Sequence, residues 1–180
     1  MTLKAVIMDE NAICRAVTRI TYEILERNKG ADDICVIGIF SGGVALAHRI
    51  AEKISDIEKI KVDYGVLDIT PYRDDLKSDT VSDAETDINF SIENRNVIIV
   101  DDVIYTGRSA RAAIDAVIKR GRPRSVQLAV LVDRGHREIP IRPDYVGKNL
   151  PTSKNETVKV MVKETDGTDK VAIFIPEEVL

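Results

Sequence analysis

The sequence predicts an α/β fold, a mostly parallel open sheet flanked by helices, and three observations predict it. ICVIGI (34–39), NVIIV (96–100) and SVQLAVLV (125–132) are apolar runs of strand length without polar alternation, as strands covered on both faces require. Segments with helical spacing of apolar residues stand between them. Turn-forming residues mark the junctions, so strands and helices alternate, which favours a parallel sheet.

The elements follow in chain order. Asp9 is a candidate N-cap for a helix over 10–30, with Ile13, Ala16, Val17, Ile20, Ile24 and Leu25 on one face. Lys29 suits its last turn and Gly30 its stop. The run 34–39 is the first strand. Ser41-Gly42-Gly43 turns it into a second helix, VALAHRIAEKI, in which His48 reads as a surface residue. Val62–Ile69 alternates as a strand. Residues 70–92 are acidic, polar and without period; so long a loop in a compact fold is usually functional, and we expect a flexible lid there. NVIIV is the clearest strand. A helix over Gly107–Lys119 follows, stopped by Gly121 and Pro123. After SVQLAVLV, TVKVMVKE (157–164) and KVAIFI (170–175) predict a C-terminal β-hairpin turned at Asp166-Gly167. We expect one domain over 1–180.

Composition narrows the function. The 180 residues are 44% hydrophobic and carry a net charge of −4, which excludes intrinsic disorder. The longest uncharged apolar run, Ile34–Leu46, holds three glycines and is too short to span a bilayer. The acidic start MTLKAVIMDEN lacks a secretory core, so we expect a cytoplasmic protein. Cys14 and Cys35 form no disulfide framework and read as small core residues. Charge is split along the chain: nine acids against Arg73 and Lys77 from Asp63 to Glu93, then eleven Lys/Arg against four acids from Lys119 to Lys163.

VIIVDDVIYTGRSARAA (97–113) carries the most chemistry. A strand ends in Asp101-Asp102, and Tyr105-Thr106-Gly107-Arg108-Ser109 opens a helix. A helix N-terminus presents free N–H groups and a positive dipole end to a phosphate. Thr106 and Ser109 add hydroxyls, Gly107 allows close approach and Arg108 adds charge. Two carboxylates beside that anion site suit the vicinal hydroxyls of a ribose, directly or through Mg²⁺. The spacing fits neither GxxxxGK[ST] nor GxGxxG.

This segment resembles the phosphoribosyl-pyrophosphate (PRPP) signature of type I phosphoribosyltransferases. The resemblance implies that Asp101 and Asp102 hold the ribose hydroxyls and act in catalysis, and that Tyr105–Ser109 hold the 5′-phosphate. It implies transfer of a ribosyl phosphate to a base nitrogen. Mg²⁺ would enter mainly on the pyrophosphate of PRPP rather than on a dedicated protein site. Ser41-Gly42-Gly43 would be the pyrophosphate loop, and Arg73 in the lid would reach pyrophosphate.

The likeness runs further. DITPYRDDL, DRGHREIPIRPDYVGKN and PTSKNE resemble the pyrimidine-operon attenuation regulators, the PyrR family. That resemblance implies a bifunctional protein: a uracil phosphoribosyltransferase that also binds pyrimidine-operon leader RNA when UMP or UTP is bound, and assembles as a homodimer or higher oligomer. Thr18, Arg19, Arg137, Arg142 and Lys148 match its RNA surface, with His136 beside them and Tyr22 on the same face, and uracil would sit beside Asp133-Arg134. Asp133 and Arg134 could equally form a local ion pair. Two departures stand out. Phe40-Ser41-Gly42-Gly43 replaces the family's Lys-Thr-Arg-Gly loop, which would weaken turnover. Tyr22 replaces a histidine, keeping a stacking ring but no titratable charge. Two alternatives stay open: a regulator that binds UMP and RNA with little catalysis, and a phosphoribosyltransferase for another base without an RNA role.

Overall fold

The computed structural model describes residues 1–74 and 85–177; residues 75–84, the middle of the expected lid, lie outside the described residues. Five parallel strands form the main sheet in the order β3(Asp63–Leu67), β2(Ile34–Ile39), β4(Asn96–Ile104), β5(Ser125–Asp133), β6(Tyr145–Asn149). Every residue of β2 is buried. Successive residues serve opposite faces: Ile34 and Val36 join one core and Cys35 and Ile37 the other. That is why the run is continuously apolar.

Two helices, α1(Glu10–Asn28) and α2(Gly43–Glu58), cover the first face. The predicted stripe of α1 is buried, and the Asp9 carboxylate caps it by accepting from the Ala12 N–H at 2.7 Å. Its left-handed stop is Lys29 itself (φ 56°), with Gly30 (φ 111°) following. The opposite face packs on α3(Arg108–Arg120) through Ala110, Ala112, Ala113, Ala116 and Val117. Small residues there let α3 lie close to the strands. Cys35 is buried, its thiol pushed up to about 11 first by that burial, whereas Cys14 is exposed, contrary to the core reading.

A second, antiparallel sheet has the order β1(Thr2–Met8), β8(Lys170–Ile175), β7(Thr157–Met161). The expected C-terminal hairpin is β7–β8, extended by an N-terminal strand that pairs Thr2 with Ile175 and Met8 with Val171. A single helical turn, α4(Lys163–Asp166), fills the link before Gly167, which takes φ 71°.

Candidate functional site

β2 and β4 are neighbours, but their chains leave in opposite directions: β2 feeds α2 on one face and β4 feeds α3 on the other. Such a switch point opens a crevice at the carboxyl ends of the strands. Ser41-Gly42-Gly43 and Asp101-Asp102 meet in it. A Cβ on Gly42 would stand 2.5 Å from the Asp102 carboxylate, and one on Gly43 would stand 2.1 Å from the Val100 carbonyl oxygen. At Gly43, where the neighbour is strand backbone, only glycine permits this approach, and the Phe40–Ser41 peptide just before the glycines is cis.

The Asp101 carboxylate accepts from the Asp102 N–H at 2.9 Å, and Asp102 from the Val103 N–H at 2.6 Å. Both carboxyls sit above the usual carboxylate range. Burial is the main cause in each, and the neighbouring Asp102 charge adds to it at Asp101. A donor or cation brought to this pair is therefore favoured.

Tyr105–Ser109 crosses from β4 to α3. Gly107 takes φ 92°, and the Thr106 carbonyl accepts from the Glu138 and Ile139 amides at 2.9 and 3.1 Å, which fixes the loop. Ser109 is exposed and Thr106 half-buried at the helix start. Arg108 turns to two acids, donating to Glu138 at 2.8 Å and Asp74 at 2.5 Å. Its charge is thus shared with acids of the loop surface. Arg73 lies beside Asp74, where its amide closes a 3-10 turn on the Thr70 carbonyl.

At the end of β5 the Asp133–Arg134 ion pair, one of the two alternatives, does not form; Asp133 pairs with Arg137 at 2.5 Å instead. The Arg137 guanidinium also donates to the Tyr105 carbonyl at 3.0 Å and the Ile141 carbonyl at 2.9 Å. Arg137 is thereby drawn inward, onto the Tyr105–Ser109 loop. Arg134 is buried, donating to the Thr152 hydroxyl and to the Ser153 and Glu156 carbonyls, with the Tyr105 ring 4.1 Å from its guanidinium. The His136 ring nitrogen lies 2.5 Å from the Thr152 carbonyl. In the sequence the 152–156 loop stands out only as part of PTSKNE, and no spacing signals that it receives Arg134.

The other candidates for the RNA surface gather elsewhere. Thr18, Arg19 and Tyr22 lie on α1 beside the edge strand β6. Arg19 donates to the Val146 and Gly147 carbonyls at 3.1 and 2.7 Å and pairs with Glu23. The Thr18 hydroxyl bonds back to the Cys14 carbonyl, Tyr22 is exposed, and Lys148 is exposed on β6 itself. Arg142 is exposed on the connection into β6.

A cleft of about 540 Å³ opens beside the switch point, lined on one side by Ser41, Gly42, His48, Tyr64 and Asp102, and on the other by Val160 and Val162 and by Glu164, Thr165 and Asp166 of the turn after β7. His48 is exposed, as expected, and stacks edge-on to Tyr64. Among the described residues no three His, Cys, Asp or Glu side chains converge as metal ligands. Nor, among them, is any helix long and apolar enough to cross a membrane.

Residues 6–165 match the phosphoribosyl transferase domain family. The chain is 56% identical over 177 residues to the bifunctional protein PyrR of Deinococcus radiodurans, covering 97% of each chain. It is 55% identical over 175 residues to that of Clostridioides difficile, covering 96% of this chain and 99% of the other. The hypoxanthine phosphoribosyltransferase of Trypanosoma cruzi shares the fold at a TM-score of 0.73 and 21% identity, over 97% of this chain and 98% of that one.

Proposed function

The chain belongs to the phosphoribosyl transferase family, and within it to the bifunctional PyrR proteins, and from that membership we propose a double role. It joins uracil to the ribosyl phosphate of PRPP, giving UMP and pyrophosphate, and it binds pyrimidine-operon leader RNA in response to UMP or UTP. The observation that carries the nucleotide half is the meeting of the Gly42 backbone with the Asp102 carboxylate, between the N-termini of α2 and α3.

In this reading Asp101 and Asp102 accept hydrogen bonds from the ribose hydroxyls. Their shared charge eases the positive charge that develops at the anomeric carbon. The N-terminus of α3, with Thr106 and Ser109, holds the 5′-phosphate. Backbone N–H groups of Ser41–Gly43 face pyrophosphate, and Arg73 reaches it from the lid. Uracil lies beside Asp133 and Arg134, against the Tyr105 ring. Two adjacent carboxylates are hard oxygen donors, too few alone to encage a cation, so they fit Mg²⁺ that arrives on PRPP. When bound, Mg²⁺ neutralises charge on the departing pyrophosphate.

The RNA half uses the α1–β6 face: Arg19 and Lys148 for phosphates, Tyr22 for stacking, with Thr18 and Arg142 beside them. His136 and Arg137 lie under that reading as links to the nucleotide site. The protein acts as a homodimer or higher oligomer in the cytoplasm. Purified protein with Mg²⁺, PRPP and labelled uracil is expected to form UMP; no product rejects the enzymatic half. A gel shift with the leader RNA, strengthened by UMP, is expected; no shift rejects the regulatory half. A second reading, a regulator with little catalysis, is favoured by one observation: Phe40–Gly43 offers no basic side chain to pyrophosphate. Ordinary turnover of uracil rules it out.

A further inference from the structure

Arg49 takes no part in the phosphate, ribose or RNA motifs, yet it holds two carboxylates at once. Its Nε and Nη2 donate to Glu164 at 2.7 and 2.6 Å, and its Nη1 and Nη2 donate to Asp169 at 2.8 Å each. Both contacts are two-pronged. The pair with Asp169 is also sheltered, with side chains 21% and 8% exposed. Arg49 holds both carboxyls below their usual range.

The placement matters more than the strength. Arg49 lies in the second turn of α2, the helix that begins at Gly43 in the glycine loop. Glu164 and Asp169 flank the turn between β7 and β8. The end of β7 and the same turn supply Val160, Val162, Glu164, Thr165 and Asp166, the wall of the cleft that faces Gly42 and Asp102. The two walls of the cleft are therefore tied by one guanidinium. Asp169 is further fixed by accepting from the Lys163 N–H at 2.7 Å, so the clamp grips the backbone of the turn as well as its side chains.

We propose that Arg49 is a positioning residue for the nucleotide site: its double clamp sets the antiparallel sheet over the cleft and so sets the affinity for PRPP and UMP. This rests on the phosphoribosyltransferase reading given above. A guanidinium can present paired donors to two carboxylates in fixed directions, whereas an ammonium acts as a point charge. Arg49→Lys keeps the charge and the helix propensity but loses the fork.

The test compares wild type, R49K, D169N and E164Q by steady-state kinetics, UMP calorimetry, thermal melting and hydrogen exchange over 157–175. In R49K we expect KM for PRPP to rise about tenfold and UMP affinity to fall by a similar factor, near one lost charge-assisted bond, with kcat within about twofold. Exchange in the β7–β8 turn should quicken while that in β2 and β4 does not. D169N should follow R49K, and the more exposed partner in E164Q should have the smaller effect. A lower melting temperature with KM, kcat and UMP affinity unchanged would overturn the proposal, leaving a purely structural clamp. A fall in kcat at constant KM would also overturn it. If wild type forms no UMP, the enzymatic reading fails separately, and UMP affinity still decides: a tenfold loss in R49K supports the clamp and equal affinity rejects it. If wild type neither turns over nor binds UMP, the nucleotide reading fails and takes the clamp with it.

Discussion

The crevice at the ends of β2 and β4 and the basic face of α1 and β6 are built on opposite principles. In the crevice, Gly43 meets strand backbone so closely that it has no substitute, Gly42 lies against the Asp102 carboxylate, and two carboxyls sit side by side under partial burial. On the α1–β6 face Arg19, Tyr22, Arg142 and Lys148 are exposed, and the contacts lie at the surface: Arg19 reaches two edge carbonyls and Glu23 four residues on. The first arrangement is costly to assemble and intolerant of change. The second costs little, because exposed ion pairs contribute only about 0–1 kcal/mol and leave the side chains free for another partner. A site for a small phosphorylated sugar demands fixed geometry; a surface for a polyanion needs charge and reach.

The sharpest way to break this contrast is Gly43→Ala. Its Cβ would stand 2.1 Å from the Val100 carbonyl oxygen, with strand backbone behind it that cannot yield. We expect a loss of about 4 kcal/mol or more, lowering the melting temperature by roughly 10 °C. A shift of a degree or two would mean that the loop is not pinned to β4. Asp101→Asn with Asp102→Asn comes next. Removing both carboxylates from the proposed ribose site should weaken UMP binding by about 100-fold, read by calorimetry, because charge-assisted hydrogen bonds become neutral ones. Unchanged affinity would move the ribose elsewhere.

Arg137→Ala tests which side of the contrast that residue belongs to. Its guanidinium joins Asp133 to the Tyr105 and Ile141 carbonyls. We expect a loss of UMP affinity of about tenfold, the size of one charge-assisted bond, with the salt slope of RNA binding unaltered. A slope lower by about one, with UMP affinity intact, would return Arg137 to the RNA face. Lys148→Ala should show the reverse pattern: a slope lower by about one and unaltered UMP binding.

The same contrast explains what the sequence made legible. The crevice is encoded in two contiguous stretches, Ser41–Gly43 and Asp101–Ser109, because each lies at a strand-to-helix turn where chemistry and local structure coincide. The central strands were legible because burial on both faces leaves runs such as ICVIGI. β1 was not, since TLKAVIM shows only a weak pattern and its partner β8 lies at the other end of the chain. β6 is a short edge strand, YVGKN, with only Tyr145 and Val146 to pack inward, recognisable only by its neighbours: a Cβ on Gly147 would meet the Leu131 carbonyl at 2.5 Å. Charge counting found the basic third but could not sort it. Arg142 and Lys148 face solvent, while Arg134 is buried against carbonyls and Arg137 is tied to Asp133. The sorting depends on which loop each guanidinium meets, and that is a tertiary property. Arg49 was silent for the same reason, its carboxylates lying more than a hundred residues away.

The smallest effect is a pH dependence confined to the crevice. Asp101 holds its proton well above the usual carboxylate range, because burial and the Asp102 charge both oppose ionisation. The folded state then binds more protons than the unfolded chain once the pH exceeds the ordinary carboxylate value, and its stability falls as pH rises through that window. Asp101→Asn removes the titrating group but keeps an oxygen to accept from the Asp102 N–H. The ligand-free variant should therefore melt higher than wild type at neutral pH, and the two should converge below about pH 4, where the unfolded carboxylate is also protonated. Melting curves that run parallel from pH 4 to 8 would show that the pair ionises without cost, and that the crevice stores no strain for its ligand to relieve. A variant that gains stability while losing UMP affinity would locate that cost in the carboxyl pair, on the crevice side of the contrast, since the α1–β6 face holds no buried acid to pay it.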